Sequence, residues 1–184
     1  MNIEYVDIGV CGLSCRLCPM YNTDAQSRCE GCKSRARMAV GCPFITCAVR
    51  NKGVEFCWQC PESETCTKWQ KHRQAGMQRD SFKCYQALES DIAYIGQNGV
   101  EKLSEQQSIR AGLLREMLAM FNDGRPKSYY CIAATVMNPE ELEEALDKAK
   151  ALSEGKSAKE RAKILHGLLD GAAARQGYHL ALRK

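Results

Sequence analysis

Ten of the twelve cysteines in this 184-residue chain fall between residues 11 and 66. They come as short pairs, Cys15-x2-Cys18, Cys29-x2-Cys32 and Cys57-x2-Cys60, with Cys11, Cys42, Cys47 and Cys66 set three to five residues from another thiol. A tight turn that holds two or three thiolates together is the local geometry of a metal ligand set. The same count also fits a disulfide framework. The first residues, Met1 to Asp7, have neither the basic nor the apolar region of a signal peptide. The expected setting is therefore the cytoplasm, where thiols stay reduced and available as ligands. Metal outranks disulfides.

Zinc is the leading expectation, with two ions. Cys15, Cys18, Cys29 and Cys32 make one tetrathiolate set, and Cys42, Cys47, Cys57 and Cys60 make a second. Cys11 and Cys66 are left over, and either can join the set nearest to it. Ten thiols do not divide into fours, so two are free, a thiolate bridges two metals, or His72 contributes. An iron–sulfur cluster is the rival. Cys-Pro occurs at 18–19, 42–43 and 60–61, as after a ligand cysteine in bacterial ferredoxins, although the full ferredoxin spacing is absent. Cys11-x3-Cys15-x2-Cys18 has the spacing of radical enzymes that bind a cluster and S-adenosylmethionine, but the strand–helix alternation of their barrel is missing. Cys29-x2-Cys32 or Cys57-x2-Cys60 as a redox pair ranks third, because no thioredoxin-like pattern surrounds them.

These thiols sit in a stretch that reads as loop. Residues 11–66 hold glycines at 12, 31, 41 and 53 and prolines at 19, 43 and 61. The apolar set is small: Leu13, Leu17, Met20, Phe44, Ile45, Val49, Val54, Phe56 and Trp58. Ordering each residue costs on the order of 1–2 kcal/mol of backbone entropy. A structural zinc site adds roughly 10–16 kcal/mol of apparent binding free energy. Metal is thus the expected core of this half. Residues 1–10 read as a short strand through Ile3, Tyr5, Ile8 and Val10. Lys33, Arg35 and Arg37 read as solvated loop charges, and Trp58 and Trp69 as packing around the module.

After Cys66 the periodicity becomes helical. A polar helix is expected over 67–78, with His72 exposed on it. Ser81 is placed as the cap of a helix reaching Gln97, with Leu88, Ile92 and Ile95 inward. Ser104 and Gln107 form a capping-box pattern before a stripe of Ile109, Leu113, Met117 and Phe121, widened by Leu114 and Leu118. Asn122 to Pro126 ends that helix. Tyr129 to Met137 is read as a buried helix. Asn138, Pro139 and two glutamates open the next, with Leu142, Ala145, Leu146, Ala149 and Leu152 inward. Ser157 and Glu160 repeat the capping box for a last helix containing Ile164, Leu165, Leu168, Leu169 and Ala172. Cys84 and Cys131 fall inside helical elements and read as small buried hydrophobes. His166 and His179 have no evident acid or nucleophile partner.

The fold class is therefore mainly α: an irregular cysteine-rich metal-bound module over 1–66, then a helical bundle over 67–184. No run approaches the roughly 18 apolar residues of a membrane span. Residues 1–80 carry 11 Lys/Arg against 8 Asp/Glu and residues 81–184 carry 15 against 14. Neither half has the basic excess that nucleic-acid binding calls for. There is no phosphate loop, nucleophile elbow or metal-hydrolase motif. A thiolate-rich closed shell leaves no position for an activated water, so catalysis is not expected. A scaffold role with another protein as partner is.

The cysteine string has a further significance. Cys11-Gly12-Leu13-Ser14-Cys15-Arg16-Leu17-Cys18-Pro19, Cys29-Glu30-Gly31-Cys32, Cys42-x4-Cys47 and Lys52-Gly53-Val54-x2-Cys57-x2-Cys60-x5-Cys66 resemble the cysteine-rich prokaryotic family known as domain of unknown function 3795. Phe121 to Arg125 and Ser128 to Cys131 are similar to segments of its longer members. The resemblance implies a metal-binding cysteine module followed by helices. It implies no activity.

Overall fold

A computed structural model describes residues 3–184. The architecture is mainly α. Short turns of helix punctuate the cysteine-rich part: α1 (Arg35–Val40), α2 (Pro43–Ile45), a π turn over Thr46–Asn51 and a 3-10 turn over Cys57–Gln59. Six longer helices follow: α3 (Thr67–Gln78), α4 (Leu88–Asn98), α5 (Val100–Phe121), α6 (Lys127–Val136), α7 (Pro139–Leu152) and α8 (Ala158–Gln176). None of the described helices is long and apolar enough to cross a membrane.

The 22-residue α5 is the axis of the helical half, about 33 Å long at 1.5 Å per residue. It packs on α4, α6, α7 and α8. Its buried side chains are Leu103, Gln107, Leu114, Met117 and Phe121. Leu114, Met117 and Phe121 of the expected stripe are buried and Leu113 and Leu118 pack beside them, whereas Ile109 is exposed. Ser104 caps nothing: the helix begins at Val100, where Gly99 at φ 88° separates it from α4. The α7–α8 pair follows its sequence signals. The Asn138 side chain accepts from Glu140 N–H, and Ser157 and Glu160 form the reciprocal capping box. Leu142, Ala145, Leu146 and Ala149 face inward, whereas Leu152 is exposed. The main core joins α5–α8, around Tyr130, whose hydroxyl donates to Phe121 O at 3.0 Å.

Three local expectations are corrected. The strand over 1–10 is only an isolated bridge between Ile8 and Ser14; residues 1 and 2 lie outside the described part. Ser81 does not cap α4, which starts seven residues later at Leu88. Instead its hydroxyl accepts from Lys83 N–H, and Asp80 takes the Tyr85 N–H at 2.5 Å, holding 79–87 as an irregular loop. Cys84 therefore lies on a loop. Lys33 is not a solvated charge: it is 2% exposed, pairs with Glu55 at 2.7 Å and stands 3.6 Å above the Phe56 ring.

The cysteine-rich part has little apolar interior of its own, essentially Val10, Ile45 and Ala48. It leans on the helices for the rest. Ile8 and Phe56 pack with Ile95 and Leu103, and Leu17 enters the main core. Trp58 stacks on Phe56 with centroids 4.3 Å apart, and Trp69 is buried beside Phe44. His72 is half-buried between Phe44, Trp69 and Tyr85, not exposed, and its Nε2 has no partner.

Candidate metal centre

Each cysteine takes its place from the backbone around it. Cys15 N–H donates to Asp7 O at 2.7 Å and Cys18 N–H to Cys15 O at 3.1 Å, which curls the first triplet into a knuckle. Gly12 opens it at φ +96°, and a Cβ there would lie 3.2 Å from Leu88 and 3.3 Å from Trp58. Cys29 N–H donates to Met20 O, closing the second knuckle. Its Gly31, at φ +107°, passes against Val6 O and Cys15, where a side chain has no room. Cys42 stands at the N-cap position of α2, Cys47 lies in the π turn, and Cys66 stands at the N-cap position of α3, neither end residue making a side-chain capping bond. Cys57 N–H bonds Val10 O at 3.0 Å, tying the third pair back to the first loop.

All twelve cysteines are free thiols. Cys15 and Cys32 are brought together: Cys32 N–H donates to Cys15 Sγ at 3.2 Å. The Cys32 pKa is lowered, first by the Cys15 side chain beside it and then, against the cost of burial, by Lys83, whereas that of Cys15 is raised. Lys83 Nζ lies 3.3 Å from Cys32 Sγ, and the charge of Cys32 beside it holds its own pKa up against burial. Arg37 is held up by Cys29 beside it. A second neighbourhood forms around Cys57. Burial and then the charges of Cys11, Cys47, Cys66 and Cys60 push its thiol up to about 12. Cys11 stands between the two, raised by burial and close to Cys32, Lys83 and Cys42.

Thiolates are the donor chemistry of a soft or borderline metal. Among the described residues, however, no three His, Cys, Asp or Glu side chains converge as an assembled site. The structure brings the thiols into two neighbourhoods and stops short of a closed coordination shell.

Some residues of this region have no sequence signal. Lys83 lies in a loop 51 residues from Cys32, so no spacing rule links them. The Lys33–Glu55 pair is similarly non-local; Glu55 also accepts from the backbone N–H of Glu4 and Tyr5. Cys131 is buried, with its thiol pushed up to about 12 by burial and by the charge of Cys18. Burial likewise raises Cys84 to about 11. Away from the cysteines, His166 does have an acid partner. Its Nδ1 lies 2.9 Å from Asp170 Oδ2, one turn along α8, and Tyr129 stacks on the ring and donates to Asp170 at 2.7 Å. The i, i+4 spacing of that pair was visible in the sequence. Both side chains are exposed.

No curated protein and no solved structure matches the chain. Residues 7–71 match a family model described as a protein of unknown function, DUF3795. That span holds the ten clustered cysteines, α1, α2 and the first residues of α3. Over residues 7–71, then, the chain is similar to the DUF3795 family, as its cysteine string implies.

Proposed function

We propose that residues 11–66 bind metal through Cys11, Cys15, Cys18, Cys29, Cys32, Cys42, Cys47, Cys57, Cys60 and Cys66, with two zinc ions as structural centres. The observation that carries this reading is the gathering of unpaired thiols into two neighbourhoods, the first with Lys83 and Arg37 at its edge. Thiolate sites are net negative, and nearby ammonium and guanidinium groups offset that charge. The metal then supplies cohesion where apolar packing is thin. The helical half supplies a rigid frame, and the protein acts as a scaffold for a protein partner rather than as a catalyst.

A second reading, an iron–sulfur redox protein, is favoured by one specific feature. Cys32 N–H on Cys15 Sγ and Lys83 Nζ on Cys32 Sγ are hydrogen bonds to sulfur, of the kind that tunes a cluster's potential. Anaerobic purification, followed by metal analysis and a visible spectrum, separates the two. Colourless protein with about two zinc per chain supports the structural reading. Brown protein with iron and acid-labile sulfide replaces it with the redox one. Protein with neither after metal-supplemented expression overturns both.

A further inference from the structure

Between the first cysteine loop, the 79–87 loop and helices α4, α5 and α6 lies a cavity of about 30 Å³. That is room for a few water-sized atoms. Three residues of its wall carry under-used oxygen acceptors, and two of those atoms, Gln107 Oε1 and Ser14 Oγ, are turned away from the open space. Asp91 has no ion pair among the described residues, and its one side-chain hydrogen bond comes from Gln107 Nε2 at 3.4 Å. That bond orients the Gln107 amide with nitrogen on Asp91, which leaves Oε1 without a donor in a residue only 4% exposed. Ser14 Oγ, also enclosed, has no partner. Burial raises the Asp91 carboxyl to about 7 despite the pull of Arg110. Both nearby cations are engaged elsewhere. Arg110 donates to Ala134 O and Met137 O, at 2.8 and 2.5 Å, and Lys83 to Cys32 Sγ. The remaining wall is largely apolar, including Leu13, Leu17, Leu88 and Ile132.

We propose that this cavity binds a primary ammonium group, the head of a small organic amine. Asp91, Gln107 Oε1 and Ser14 Oγ take its three N–H donors, and the apolar wall takes its carbon chain. The two neutral acceptors are closed to solvent, so the amine reaches them as the Gln107 and Ser14 side chains turn towards it. Their unmet acceptor capacity favours that turn. One carboxylate and two neutral oxygens are too few for a calcium or magnesium site. The carboxylate also disfavours an anion. The cavity lies beside Cys18, so an amine held here rests against the cysteine module, but its binding does not depend on which metal the module holds.

The test is a two-dimensional NMR titration of the full-length protein at pH 8 with ethylammonium chloride, and in parallel with ethanol and with potassium chloride at equal ionic strength. Saturable shifts centred on Ser14, Asp91 and the Gln107 side-chain amide are expected with ethylammonium only. Asp91→Asn should weaken that binding at least about tenfold, the scale of a lost charge-assisted hydrogen bond, while its circular dichroism melt confirms folding. Gln107→Leu should weaken it as well and keeps the test open if the Asp91 variant does not fold. Three outcomes overturn the proposal: no saturable shift, in which case the cavity holds water; potassium or ethanol binding as tightly; or unchanged affinity in the variants.

Discussion

Lys83 reaches out of a loop in the helical half and sets its ammonium 3.3 Å from Cys32 Sγ. A positive charge there stabilises the thiolate that a metal requires, and it does so from outside the ligand set. Groups of this kind contribute about 10–100-fold to metal affinity in other sites. Lys83→Met keeps the aliphatic stem and removes the charge. The expected result is that it gives up metal to a competing chelator at a concentration at least about tenfold lower than wild type does, with an unchanged helical spectrum. Equal retention would show that the contact is incidental. The Lys33–Glu55 pair is the other buried charge arrangement in the module. Its role is different: Glu55 ties down the backbone of Glu4 and Tyr5, so it anchors the chain entering the first knuckle.

At the scale of elements, the segment after α8 is as informative as the helices. Gly177 ends α8 in the left-handed conformation, and the chain then returns to the end of α3. There the Arg183 guanidinium donates to Gly76 O and Met77 O, the last carbonyls of that helix, and to Asp80, whose side chain is fully enclosed. Burial works against the Asp80 charge, but Arg183 and the N–H groups of Tyr85 and Arg183 hold its pKa below the usual 3.8. A depressed carboxylate adds stability that is complete above its unfolded pKa and disappears as pH falls through the folded one. Arg183→Met should therefore cost about 2–3 kcal/mol in urea unfolding at neutral pH. The gap to wild type should hold down to about pH 4 and narrow below it, leaving the share that comes from the Gly76 and Met77 carbonyls. A gap that stays constant to pH 2 would mean that Arg183 acts through the helix-end carbonyls and packing, not through Asp80. The comparison of α4 with α7 and α8 shows what the sequence makes legible. Asn138 and Ser157 mark their helices because the capping partners lie two and three residues away, within the same turn. The start of α4 depends on Asp80, which is fixed by Arg183, 103 residues distant, so Ser81 gave a false signal. Ten candidate ligands were legible as a set for the same local reason. Their grouping was not, because it depends on where loops such as 79–87 carry a residue like Lys83.

At the scale of the molecule, the cysteine-rich part and the helices share interior at places of unequal weight, beginning with Phe44 against Trp69 and His72 of α3. Ile8 and Phe56 pack with Ile95 and Leu103, so α4 and the beginning of α5 rest on the module. Among the described residues, the main core over α5–α8 takes only Leu17 from it. If metal supplies the cohesion of residues 11–66, removing it should act in a graded way. The expected order under a strong chelator is loss of amide protection in 7–66 first, then in α4 and the opening turns of α5. Helices α6, α7 and α8 should keep most of theirs, together with most of the far-ultraviolet signal. Local stability follows local burial, and the two regions differ in how much of theirs the module provides. Hydrogen exchange read by mass spectrometry resolves these segments, and restoring the metal should reverse the loss. Simultaneous loss of protection through α8 would show one cooperative unit, with Leu17 a more important link than its single place in the core suggests. No change at all would show that protein contacts alone hold the module together, and would remove the metal from its structural role.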